Sequence, residues 1–380
     1  NMAPERAIAS MPVVISAVPI RTRRSVPEQK ASAKAARIEY SMIKPLTSLR
    51  FIFAFLVFMS HNNLFPNAVD SFLWHIFREG YAGVFFMLSG FILAYTYQQR
   101  LLERSVTIHS FYIARIARIY PLHLSTLFIS LFFIKFFSSV SAGSIFNLGL
   151  NAFLLQSFVP GKEFLFNAVS WSLSDEAFFY AMFPIIVFSI PKIGKKRATL
   201  LLVTGLLIIM ATAYLLRNSP SEHWVLYINP LFRIFDFSLG IAIYNICHKI
   251  ESAHFHIDYN HTQVEILALC LIIITYCLAF FIPESFRRSV WYWIPMGILI
   301  ATFYFQKGAI SRFLSHPIFV KLGEISFAFY LFHYMIIRAV RIILCHLHLA
   351  LPLWQEFCIT LILSITTAYI AHRYIEQPAN

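Results

Sequence analysis

The stretch Leu46-Thr47-Ser48-Leu49-Arg50-Phe51-Ile52-Phe53-Ala54-Phe55-Leu56-Val57-Phe58-Met59-Ser60-His61 places an arginine and a histidine inside one apolar run. An α-helix turns about 100° and rises about 1.5 Å per residue, so residues eleven apart leave it within roughly 20° of each other, about 16 Å apart along its axis. Arg50 and His61 therefore share one face of one helix. Placing an arginine at the centre of a bilayer costs about 2.5 to 3.5 kcal/mol on insertion scales, so such residues face the interior of a helix bundle and serve a task there.

The rest of the chain has the same character. Of its 380 residues, 58% are hydrophobic and 13% charged, and its mean hydropathy is +0.67, which excludes a soluble globule of ordinary surface composition. Apolar stretches of bilayer length recur near 46–65, 80–98, 119–138, 172–190, 198–216, 226–247, 263–282, 290–306, 322–344 and 354–372. The expected fold is all-α, a polytopic membrane bundle of about ten transmembrane helices. A further apolar run near 145–158 is short enough for a re-entrant or interfacial helix. Residues 1–43 read as a mobile cytoplasmic tail and 44–380 as the transmembrane domain. The apolar run Met11–Ile20 is followed by Arg21, Arg23 and Arg24, whereas a signal peptide has its charge cluster before the apolar stretch and a small-residue cleavage site after it.

Basic residues set the expected orientation. Arg21, Arg23, Arg24, Lys30, Lys34, Arg37 and Lys44 precede the first span, whereas the loops opposite carry few, chiefly Arg78, Lys162, Arg217, Arg287 and Arg288. By the positive-inside rule both termini face the cytoplasm. The net charge of +13 is a topological signal, and no nucleic-acid partner is expected from basic residues so dispersed. The five cysteines match no zinc spacing and read as small buried hydrophobes. No metal is expected. There is no repeat period and no matching pair of broken helices of the kind inverted-repeat transporters show. With twelve glycines against forty phenylalanines, helix contacts should rest on aromatic packing more than on glycine seams.

Other polar residues carry the chemistry. Arg115 and Arg118 in Ile113-Ala114-Arg115-Ile116-Ala117-Arg118-Ile119-Tyr120-Pro121 share a helix face. They read either as headgroup anchors or, with Arg50, as a cradle for phosphate oxygens. His61 is either an interhelical hydrogen bonder or a general base. In Trp171-Ser172-Leu173-Ser174-Asp175-Glu176, Ser172 and Asp175 resemble a capping box, while Glu176 exceeds that need and is placed to polarise His61. Arg233 and Asp236 read as a structural ion pair. Lys135 reads as a snorkelling side chain, His333 as structural or cavity-facing, and His254, His256 and His261 as solvated.

Taken together, these strings resemble acyltransferase family 3, membrane enzymes that acylate exported sugars, lipid-linked oligosaccharides and some antibiotics. The resemblance runs from Leu46 to Pro378 and rests on Leu49-Arg50 with His61, Phe85-Phe86-Met87-Leu88-Ser89-Gly90-Phe91, Arg115-Ile116-Ala117-Arg118 before Tyr120-Pro121, and Trp171-Ser172-Leu173 leading to Glu176. Tyr330-Leu331-Phe332-His333 and Arg373-Tyr374-Ile375-Glu376-Gln377-Pro378 add to it. It implies an acyl coenzyme A donor, usually acetyl-CoA, essential roles for Arg50 and His61, a coenzyme A site at Arg115 and Arg118, and a part for Glu176. The expected acceptor is a saccharide, exopolysaccharide or lipid-linked glycan hydroxyl in a bacterial inner membrane. A transporter or flippase of an anionic solute is the rival reading.

Overall fold

The computed structural model describes residues 42–62, 80–137, 145–253 and 260–379. The expected tail up to Ser41, Arg78, His254 and His256 lie outside the described residues, as does the side chain of Lys135. Among the described residues all regular secondary structure is helical. The helices are α1 (Lys44–Asn62), α2 (Tyr81–Leu93), α3 (Ile108–Phe137), α4 (Ile145–Ala152), α5 (Trp171–Ile193), α6 (Lys195–Leu215) and α7 (Pro230–Ser252). They continue as α8 (His261–Leu278), α9 (Glu284–Ser289), α10 (Trp293–Tyr304), α11 (Ala309–Leu314), α12 (Pro317–Glu324), α13 (Ser326–His346) and α14 (Leu353–Ala371). π-helical turns extend α2 through Ala94–Gln98, precede α7 at Trp224–Ile228 and follow α14 at His372–Glu376.

Among the described residues, six helical segments are long and apolar enough to cross a membrane: Ala168–Ile193, Lys195–Leu215, Trp224–Ser252, His261–Phe281, Ser326–His346 and Leu353–Ala379. The other four expected spans coincide with α1, α2, α3 and α10. Local chemistry marks several boundaries. Asn229 and Asn260 cap α7 and α8, their side-chain oxygens accepting from Leu231 N at 3.0 Å and Thr262 N at 3.0 Å. Gly194 separates α5 from α6 at φ 80° and ψ 154°, a conformation open essentially to glycine alone.

The core is aromatic. Phe86, Phe179, Phe183 and Phe237 are fully buried, with edge-on packing of Phe86 on Phe179 at 5.0 Å and stacking of Phe179 on Phe237 at 5.2 Å. Outer faces are apolar as well, with Leu200, Leu201, Leu207 and Leu215 exposed on α6. Glycine nevertheless sets the tightest crossing. α2 and α7 meet so closely at Gly90 and Gly240 that a Cβ on either would stand 2.0 Å or 1.9 Å from a carbonyl oxygen of the other helix. The low glycine count hid this because two glycines suffice where two backbones touch.

The segment 145–158 makes the short α4 and a 3-10 turn, and several polar side chains of the stretch leading to α5 are buried. There Asn167 donates to Leu331 O at 2.9 Å, Gln156 to Ser170 O at 3.0 Å and Ser157 to Trp171 O at 2.7 Å. Ser172 does not cap α5: it lies inside the helix, donates to Val169 O at 3.1 Å and pairs with Tyr330 Oη at 3.0 Å. Asp175 is buried within electrostatic reach of Arg233. Of the cysteines only Cys247 is buried. Cys270, Cys277, Cys345 and Cys358 lie on exposed faces of the bundle, where an apolar residue is equally at home in a membrane protein.

Candidate active site

α1 directs Arg50, Val57, Ser60 and His61 into a cavity of about 740 Å³. Its walls include Phe85 and Phe86 from α2, Trp171, Ser172 and Glu176 from α5, and Phe327, Tyr330, Tyr334 and Arg338 from α13. Phe164, His223, Tyr227, Glu284, Arg287 and Arg288 also line it. The cavity thus holds a cluster of ionisable groups within aromatic walls, in the size range of small-molecule sites, about 300 to 1,000 Å³.

The structure brings the arginines and Glu176 into one electrostatic cluster. Arg50, Arg118 and Arg115 all act on Glu176, whose carboxylate accepts a hydrogen bond from Tyr180 Oη at 3.2 Å. Arg115 donates to Tyr97 Oη at 3.1 Å, and its guanidinium lies 5.0 Å from the Tyr97 ring centre and 5.8 Å from that of Tyr180. Arg118 forms an ion pair with the buried Glu376 carboxylate and lies 5.2 Å from the Phe327 ring centre.

His61 has a second histidine as neighbour: its Nδ1 is 2.8 Å from His333 Nε2, with the two rings 23° apart in tilt. Glu176 lines the same cavity as His61 and is acted on by the three arginines. Arg233 and Asp236 form a buried pair, Nε to Oδ2 3.1 Å, and Arg233 also donates to Arg288 O at 3.1 Å. Sequence reasoning underweighted Tyr180 and Glu376 and took Arg287 and Arg288 for loop charges. The signals present in the sequence were the Tyr330-Leu331-Phe332-His333 string, which carries His333, and the Arg373-Tyr374-Ile375-Glu376-Gln377-Pro378 string, which carries Glu376.

A bundle of apolar helices around an arginine-histidine cavity defines a polytopic membrane protein with an internal polar cavity. The profile of the acyltransferase family 3, described as an acyltransferase domain, matches residues 44–373, and the chain belongs to that family. It is 30% identical over 316 residues to "Acyltransferase MdmB" of Streptomyces mycarofaciens, covering 77% of this chain and 78% of that one. It is 27% identical to "Putative acetyltransferase ORF330" of Acidianus two-tailed virus, over 74% of this chain and 81% of that one. It is 23% identical to "Putative peptidoglycan O-acetyltransferase YrhL" of Bacillus subtilis (strain 168), over 79% of this chain and 50% of that one. No solved structure matches. The protein is a membrane acyltransferase.

Proposed function

We propose that this protein moves an acetyl or other short acyl group from cytosolic acyl coenzyme A to a hydroxyl of an exported saccharide or lipid-linked glycan. It does so within a bundle of ten spans in a bacterial inner membrane, with both termini cytoplasmic. Arg115, Arg118 and Arg50 receive the phosphates of the donor, for which planar guanidinium forks are the best-suited side chains. Glu176 offsets part of their charge and keeps the cluster in position between donors. The pantetheine arm runs along α1, whose rise of about 16 Å from Arg50 to His61 is of the order of its reach.

At the far end His61 takes the proton of the acceptor hydroxyl. The hydroxyl oxygen attacks the thioester carbonyl, the carbon-sulfur bond breaks, and the leaving thiolate takes the proton from the imidazolium. The products are an ester and coenzyme A. The aromatic walls at Trp171, Tyr227, Tyr330 and Tyr334 suit the apolar faces of sugar rings. The observation that carries the reading is one cavity lined by Arg50, Glu176 and His61 in a chain of an acyltransferase family.

The test is transfer of radiolabel from acetyl-CoA to a saccharide acceptor by the detergent-purified protein. Wild type should transfer label and His61→Ala should not, with both equally abundant and folded. An intact thioester together with movement of an anionic solute across vesicles would establish a transporter in its place. Transfer retained by His61→Ala would reject the general-base assignment.

A further inference from the structure

His333 lies on α13, 0% exposed, among Phe58, Phe329 and Tyr330. A buried histidine is satisfied by one backbone hydrogen bond, and this one has two carbonyl oxygens at its Nδ1, Tyr330 O at 2.7 Å and Phe329 O at 3.3 Å. A carbonyl only accepts, so Nδ1 carries the proton and donates it. Among the described residues, the groups that act on the ring are His61 and these two carbonyls, with no carboxylate among them, and a buried ring without an acid partner is neutral. His333 Nε2 therefore presents a lone pair, and it lies 2.8 Å from His61 Nδ1. The proton between the rings belongs to His61 Nδ1, which leaves the His61 lone pair on Nε2. Tyr334 packs edge-on to the His61 ring at 5.1 Å.

We propose that His333 is a positioning residue for the transfer reaction: by accepting from His61 Nδ1 it fixes the tautomer in which His61 Nε2 is the proton acceptor. The inference rests on the general-base reading of His61. His333 touches neither donor nor acceptor. It fills the place that a carboxylate occupies behind the histidine of a serine hydrolase triad, with the difference that the proton chain ends on a helix carbonyl and carries no net charge. A neutral acceptor suits an apolar bundle, where an unpaired carboxylate beside His61 would be expensive to bury. The proton count is unchanged by this role: His61 gains the hydroxyl proton at Nε2, keeps its own at Nδ1, and returns the first to the leaving thiolate.

Two substitutions separate positioning from packing. His333→Phe keeps a ring of similar size among Phe58 and Phe329 and removes both nitrogens. His333→Gln places an amide oxygen near the site of Nε2 and can accept from His61 again. With acetyl-CoA as donor, His333→Phe should lower kcat by about a hundredfold, the lower end of what general-base catalysis contributes, with KM for the donor unchanged. His333→Gln should recover at least about tenfold of that loss.

The independent readout is the nitrogen-15 spectrum of labelled histidine in lipid bilayers, with His61→Gln used to assign the His61 signals. Wild type should show His61 protonated at Nδ1 and bare at Nε2, and His333→Phe should abolish that pattern. A wild-type spectrum with the His61 proton on Nε2, or a His333→Phe variant within about threefold of wild type in kcat, would overturn the proposal. If the wild-type chain transfers no acyl group from any acyl coenzyme A, the transferase reading fails. The spectrum then decides the His333 assignment alone.

Discussion

Replacing Gly240 by alanine tests the α2–α7 crossing on which the cavity wall depends. The added carbon would stand 1.9 Å from Met87 O and 2.9 Å from Phe91 N, where ordinary contact begins at 3.4 Å. Both obstacles are backbone, so rotamer changes cannot relieve them, and the helices must part by roughly 1.5 Å at the crossing. A gap of about 0.5 to 1 Å already forfeits a quarter to a half of a dispersion contact, and overpacking of this kind costs about 1 to 3 kcal/mol. Alanine returns about 1 kcal/mol of helix propensity. With the cost at the upper end of that range, about 3 kcal/mol, because both obstacles are backbone, the net expectation is a loss of about 2 kcal/mol, roughly thirtyfold in the folding equilibrium. Because α2 also carries Phe85 and Phe86 into the cavity, acyl transfer should fall with stability.

The assay is equilibrium unfolding in micelles of the single variants and of Gly90→Ala/Gly240→Ala. One displacement relieves both clashes, so the double variant should lose clearly less than the sum of the singles. Gly149→Ala, where an added carbon meets nothing within 4 Å, is the control and should be neutral or slightly stabilising. Wild-type stability in Gly240→Ala, or strict additivity in the double variant, would refute the close-crossing argument.

Three further outcomes follow from buried charge. The Glu265 carboxylate accepts from Gly308 N at 3.1 Å and Ile310 N at 2.9 Å and from the Ser311 hydroxyl at the start of α11. Glu265→Ala should destabilise by about 2 to 4 kcal/mol, since charged hydrogen bonds and orphaned donors are each worth about 1 to 3, and thermal unfolding in detergent measures it. Arg233→Met should cost about 3 to 5 kcal/mol by leaving Asp236 unpaired, whereas Arg233→Met/Asp236→Leu should recover most of it, as a double-mutant cycle would show. His223, beside α7 and on the cavity wall, is held down to about 4 by burial and then by Arg288. Its folded value lies below its ordinary 6.5, so the unfolded chain binds the proton first and stability drains away as pH falls from about 6.5 to 4. His223→Gln should flatten that part of the stability curve, and an unchanged acid limb would show that His223 does not contribute to it.

The site was legible where periodicity alone places side chains. Arg50 and His61 share a helix face by their spacing, and Arg115 and Arg118 by theirs, so both pairs could be read without coordinates. Glu176 was legible as an acid beyond what a helix start needs, but its grouping with three arginines from two other helices required the packed bundle. His333 was one histidine among many until α13 packed against α1.

Composition determined that this chain is a membrane bundle, because a chain so apolar and so poor in charge has no other stable setting. Helical periodicity determined which residues within one helix share a face. Tertiary structure alone decided which faces meet: the glycine contact of α2 with α7, the buried entry to α5, and the meeting of His61 with His333 across 272 positions of sequence. Hydrophobic patterning acts along a helix and is nearly the same on every apolar face, so it cannot choose partners. That choice is made by side-chain shape and by the need of each buried donor for an acceptor.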